Sequence, residues 1–306
     1  MRTAFLNVLD NLASNDPDVI LITGDLGYSV FDDFELKYPN QYINAGVAEQ
    51  NMIGIASGLA LEGKKIFIYS IGNFPTLRCL EQIRNDACYH ELNINIVASG
   101  GGFSYGGLGM SHHATEDISI MRSLPGVTLI VPSTAWEVTE ATKALYKHKG
   151  VGYLRIDKSI VESYAEKKQN FSIGQANLLR KGSDITIFSS GGILNEALIA
   201  SEVLLEKGIE CRVLSLCSIK PIDVNAIRLA CEQTNGIITI EENNLSGGLG
   251  SAIAEVCMDN NFRPRNFLRI GLKDEYSAIV GSQQFLKNYY NLDSEMVINS
   301  VMSLMK

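Results

Sequence analysis

Glu49 is the single carboxylate in residues 44–60, NAGVAEQNMIGIASGLA, a stretch otherwise made of small, apolar and uncharged side chains. An acid in such surroundings is costly unless it is protonated, paired or used in chemistry. It reads equally as an acid at a helix entry, where the N-terminal dipole favours negative charge. Gly46, Ala48, Gly54, Ala56, Ser57, Gly58 and Ala60 let another backbone come very close. A second candidate is the glycine-rich segment Gly106-Gly107-Leu108-Gly109-Met110-Ser111-His112-His113. Histidines adjacent on a loop usually point apart, which argues against a shared metal and leaves proton transfer or capping of the next helix. The segment has neither the GxGxxG fingerprint nor a P-loop lysine, so dinucleotide and P-loop phosphate binding are not indicated. A third candidate is SIGNFPTLR at 70–78. There Phe74 is either core or a stacking face for a flat heterocycle, and Arg78 opens a charged helix.

These residues need elements to position them. Short apolar runs at Asp18–Thr23, Lys65–Tyr69, Asn93–Ala98, Val127–Val131 and Val151–Ile156 alternate with amphipathic stretches. The alternation resumes at Asp184–Ser189, Glu210–Leu216 and Gly236–Glu241, with helices expected near 195–207, 222–233 and 247–258. The pattern predicts an α/β chain of two doubly wound domains, each a parallel sheet with helices on both faces. The boundaries expected are 1–165 and 181–306, joined by a polar linker at 166–180. Ligands of open α/β sheets sit beyond the carboxyl ends of the strands. Gly24–Ser29, Ser70–Phe74, Ser99–His113 and Arg155 all fall at such ends.

Composition narrows the class. The chain has 306 residues, 46% hydrophobic and 20% charged, with a formal net charge of -8. That balance argues against a nucleic-acid binder. No apolar run approaches membrane-spanning length, and the amphipathic N-terminus lacks a signal-peptide pattern. The six cysteines are scattered without a CxxC, as expected of free thiols in a reducing cytoplasm. No zinc or other metal site is expected, because the four histidines are not at ligand spacing to any cysteine pair.

Four segments in chain order carry a family resemblance: NAGVAEQNMIGIASGLAL, NFPTLRCLEQIRND, SHHATEDISIMRSLPGVTLIVPS, and the pair SIKPID and EENNLSGGLGSAIAE. The chain resembles the C-terminal half of a thiamine-diphosphate-dependent transketolase, and is similar to the related 1-deoxyxylulose-5-phosphate synthase. The resemblance implies a pyrimidine-binding domain followed by a smaller transketolase C-terminal domain. The family's third domain, with its GDG…N signature for Mg2+ and diphosphate, has no counterpart here. In split transketolases that domain is a separate N-terminal subunit, and the active site forms between the chains. The implied assembly is a dimer of this chain flanked by two partners, a heterotetramer acting on sugars. The implied reaction moves a two-carbon ketol unit from a ketose to an aldehyde.

By the same resemblance, Glu49 matches the acid that holds the pyrimidine ring nitrogen and favours the tautomer that accepts a proton. Phe74 matches the aromatic that stacks on that ring, with Arg78 ordering the pocket. His112, rather than His113, matches the histidine that faces the substrate carbonyl. Asp25 matches an acid near the thiazolium side. Ser29 and Arg155 fall where transketolases hold an acceptor phosphate. Two departures bear on substrate choice. Leu108 stands where many transketolases have an Asp that contacts an acceptor hydroxyl, and Gly100 stands where a second histidine helps bind phosphate. Both suggest a non-standard acceptor, such as a bulkier or nucleotide-linked sugar. The competing readings are a beta subunit of a 2-oxo acid dehydrogenase, a 1-deoxyxylulose-5-phosphate synthase-like enzyme, and a non-catalytic partner subunit. The SHHATEDISIMR segment speaks against the first, and retention of Glu49, Phe74 and His112 against the last.

Overall fold

Strand β1 (Val19–Thr23) is buried along its whole length, as its unbroken apolar sequence requires of a parallel strand covered on both faces. The computed structural model describes residues 1–27, 30–158, 161 and 170–305. The first half contains α1 (Arg2–Asn15), β1, α2 (Asp32–Lys37), β2 (Tyr42–Asn44), α3 (Glu49–Leu61) and β3 (Lys65–Ile71). It continues with α4 (Leu80–Gln82), β4 (Ile94–Ser99), α5 (Asp117–Ser123), β5 (Val127–Ile130), α6 (Ala135–Lys147) and β6 (Val151–Ile156). The second half contains β7 (Asn177–Arg180), β8 (Ile185–Ser189), α7 (Leu194–Glu206), β9 (Cys211–Ser215), β10 (Ser218–Lys220) and α8 (Val224–Gln233). It closes with β11 (Ile237–Asn244), α9 (Leu249–Asp259), β12 (Phe267–Leu272), α10 (Gln283–Tyr289) and α11 (Ser294–Leu304).

Two mixed sheets result. The first has strand order β10-β5-β6-β4-β3-β1-β2, and the second β12-β11-β8-β9-β7. Each is parallel except at one edge, where β10 runs antiparallel to β5 and β7 antiparallel to β9. Both edges differ from the sequence reading. Asn177–Arg180, inside the stretch read as linker, is an edge strand, and residues 166–169 lie outside the described residues. Ser218–Lys220 belongs to the second half of the chain but completes the first sheet. Short edge strands bury only part of their side chains and so leave little apolar pattern.

The two halves share a continuous interface. Arg122 of α5 reaches Glu255 of α9 through two bonds of 2.6 and 2.7 Å, and Arg122 Nε donates to the Gly247 carbonyl at 2.9 Å. Ser119 Oγ donates to the Ser246 carbonyl at 2.7 Å. The glycine-rich segment after β4 also meets the second half: a Cβ at Gly106 would lie 2.6 Å from the Gly281 carbonyl oxygen. Only glycine permits that approach. Among the described residues, no helix is long and apolar enough to cross a membrane.

Candidate active site

Glu49 is the first residue of α3 and is 4% exposed. The preceding residues, Gly46–Ala48, turn the chain from β2 into the helix. A buried carboxylate needs a partner. Arg78 supplies it, with Nη1 at 3.1 Å from Oε1 and 3.2 Å from Oε2. The Arg78 guanidinium also lies over the Phe74 ring, 4.3 Å from its centroid. His112 meets the same ring edge-on, with centroids 5.2 Å apart. Four residues singled out from the sequence, Glu49, Phe74, Arg78 and His112, therefore form one cluster. It borders an open cleft of about 480 Å³ lined by Val47, Ala48, Glu49, Gln50, Asn51 and Arg78.

The positioning of this cluster is local. Phe74 lies in the turn after β3, and the helix foreseen at Arg78 begins only at Leu80 and widens into a π-helical turn at Ile83–Cys88. Asn73 Nδ2 donates to the His113 carbonyl at 2.6 Å and to the Ser111 carbonyl at 3.3 Å, which ties the Phe74 turn to the histidine segment. A Cβ on Gly72 would come within 2.6 Å of the Ala114 Cβ, so a side chain there would wedge the two apart.

The two histidines separate by environment. His113 is 3% exposed, its Nε2 is 3.1 Å from the Gly106 carbonyl oxygen, and its ring packs edge-on against Phe103. These contacts tie its ring to the glycine-rich loop. His112 is half-buried, with Nδ1 3.0 Å from Ser111 Oγ. Burial lowers its pKa, and the neighbouring His113 and Arg78 lower it further, so the neutral imidazole is favoured.

The remaining expected residues divide. Asp25 takes a left-handed backbone conformation (φ 57°) and is held by Asn44, whose Oδ1 accepts from the Asp25 amide at 3.0 Å. The preceding Gly24 lies near Met52 and Glu49, which brings this turn beside the cleft. Ser29 lies outside the described residues. Leu108 is 58% exposed on the glycine-rich loop. Gly100 has φ +84°, and a Cβ there would lie 2.1 Å from the Tyr105 ring, so Tyr105 fills the space a side chain at 100 would take. Lys158 sits over that ring, with Nζ 3.8 Å from its centroid.

Arg155, expected from the sequence to meet an acceptor phosphate, lies enclosed within the protein. It is 1% exposed, with Nε 3.1 Å from Asp117 Oδ2 and Nη2 bonded to the Ala114 and Glu242 carbonyls. A guanidinium so enclosed ties the two halves together. Sequence reasoning also passed over Asn73 and Tyr105. An aromatic within a glycine-rich run was the available signal for Tyr105, and nothing in the sequence marked Asn73.

Comparison with known proteins agrees with this architecture. Residues 1–163 match the transketolase pyrimidine binding domain, and residues 174–297 match the transketolase C-terminal domain. The chain is 36% identical, over its full length and 97% of the relative's, to an apulose-4-phosphate transketolase subunit of Phocaeicola vulgatus. It is 33% identical over 98% of its length, and 92% of the relative's, to a Clostridium 6-deoxy-6-sulfo-D-fructose transketolase subunit. A solved structure described as a split gene transketolase, inactive beta4 tetramer, superposes with a TM-score of 0.88 at 32% identity. That match covers 99% of this chain and 97% of the other.

Proposed function

The chain belongs to the transketolase family, and from that premise we propose how its cleft works. It is the C-terminal, pyrimidine-binding subunit of a two-chain transketolase, active only with an N-terminal partner that holds the diphosphate and Mg2+ of thiamine diphosphate. The observation that carries this reading is the run of contacts from buried Glu49 through Arg78 to the Phe74 ring and on to His112.

The residues present fit one end of that cofactor. A flat heterocycle needs a stacking face, a polar group for its ring nitrogen and room to enter. Phe74, Glu49 and the cleft meet these needs. Among the described residues, no three His, Cys, Asp or Glu side chains group as a cation site. The fit is to the pyrimidine end of the cofactor. When bound, the cofactor supplies the carbon–carbon chemistry. Glu49, the first residue of α3, would hold the ring nitrogen by a hydrogen bond. Phe74 would offer the ring its stacking face. His112 has Nδ1 engaged by Ser111, leaving Nε2 as the ring atom that gives or takes a proton at a substrate oxygen. Its lowered pKa keeps it neutral and ready to accept that proton.

Leu108 and the Tyr105-filled position at Gly100 support an acceptor that is not an ordinary pentose or tetrose phosphate. The relatives named for apulose 4-phosphate and a sulfofructose are consistent with substrate variation of this kind. We assign the assembly as a heterotetramer in the cytoplasm. The test is a ratio of turnover on ribose 5-phosphate to turnover on branched, sulfonated and nucleotide-linked sugars, with the partner present. Preferential use of ribose 5-phosphate would overturn the acceptor assignment.

A further inference from the structure

We propose that Arg78 is a built-in occupant of the pyrimidine subsite, closing Glu49 and Phe74 against each other until the cofactor's ring displaces it. The inference rests on the reading of Glu49 and Phe74 given under Proposed function. Its basis is an overlap of contacts. The ring is expected to take the Glu49 carboxylate through a nitrogen and the Phe74 face through stacking. Arg78 already makes both, with Nη1 within 3.2 Å of both carboxylate oxygens and its guanidinium 4.3 Å from the Phe74 centroid. A guanidinium suits this role because it is planar, donates to a carboxylate and stacks on an aromatic face.

The arrangement also has a physical reason. The Glu49 side chain is 5% exposed, and Arg78 is its polar partner among the described residues. Without a cofactor, an unpaired carboxylate at that depth is strongly disfavoured. Arg78 satisfies it from a side chain that is itself 50% exposed and placed in the turn before α4. It can therefore swing into the cleft opening without disturbing the core.

The occupant form reduces the apparent affinity for cofactor by the fraction of molecules that are open. If about a tenth of the population is open, removing the occupant tightens binding about tenfold. The experiment is calorimetric titration of thiamine diphosphate with Mg2+ into the complex of this chain and its N-terminal partner. The wild type is compared with Arg78→Met and Arg78→Lys. Arg78→Met is expected to bind about tenfold more tightly, and Arg78→Lys to fall between, since lysine pairs with the carboxylate but does not stack as a plane. Equal or weaker binding by Arg78→Met means that Arg78 holds the ring and not its place, and overturns the proposal. Should Arg78→Met fail to fold, Arg78→Lys decides by the same sign. Binding by no protein, wild type included, overturns the proposed function itself and is thereby told apart from failure of the Arg78 proposal.

Discussion

Asn73 Nδ2 lies 2.6 Å from the carbonyl oxygen of His113, and this bond joins the turn carrying Phe74 to the segment carrying His112. The Asn73 side chain is buried, so removing its amide strands a buried carbonyl. Asn73→Ala is expected to lower unfolding free energy by about 1–3 kcal/mol and to lower turnover further than stability alone explains. Paired thermal melts and kinetics check this. Unchanged kinetics would mean that the bond does not set the His112 position.

The adjacent histidines are expected to respond in opposite ways. His112→Ala leaves the melting temperature nearly unchanged and lowers turnover by roughly 10²–10⁴-fold, the usual contribution of a positioned acid–base group. His113→Ala removes a buried ring and the contact to Gly106, and costs roughly 2–4 kcal/mol of stability. Melting curves and kinetics on the two variants separate the roles. The reverse pattern would reassign the chemistry to His113.

Arg155 is expected to behave as a structural residue. Arg155→Met leaves Asp117 buried without its cation, and removing one member of a buried pair costs about 4 kcal/mol. The acceptor KM of any folded fraction should be unchanged. A well-folded variant with a raised acceptor KM would restore the phosphate-binding role expected from the sequence.

The seam between the halves should give the protein a pH-dependent stability. Burial, and secondarily the charge of Asp157, push the Glu242 carboxyl from 4.5 up to about 7. Burial likewise pushes Glu241 to about 7. Between these values the folded chain keeps a proton that the unfolded chain releases. Raising the pH through the window from 4.5 to about 7 therefore favours unfolding, and the effect levels off above it. Each such group contributes a slope of up to about 1.4 kcal/mol per pH unit. Glu242→Gln should flatten the stability profile over that window, as measured by denaturant melts at stepped pH. An unaltered slope would mean that Glu242 ionises normally.

Much of the scaffold was legible because its strands are buried on both faces. Val19–Thr23, Ile94–Ser99 and Val151–Ile156 are buried throughout, and their apolar runs say so directly. The edges were not legible. Leu178 and Leu179 sit in an exposed or half-buried edge strand, and Ser218–Lys220 owes its place to a strand from the other half of the chain. Within the site, Glu49 stood out because its neighbours are small and uncharged. The fate of Arg155 was hidden, since an arginine that meets Asp117 in the core has the same letter as one that meets solvent. The two histidines were likewise inseparable by residue type and became distinct only through their contacts with Gly106 and Ser111. That Arg78 closes on Glu49 was beyond sequence reasoning, because the pairing depends on how the turn after β3 folds back over α3.

On the function proposed above, this chain supplies the pyrimidine half of a cofactor site completed by another chain. The most direct measurement is a calorimetric titration of thiamine diphosphate with Mg2+ into the chain alone and into the chain co-purified with its N-terminal partner. Tight binding in the mixture, and its loss on Glu49→Ala with the fold intact by circular dichroism, is the predicted result. Equally tight binding by the isolated chain, or full binding and turnover by Glu49→Ala in the mixture, would contradict it.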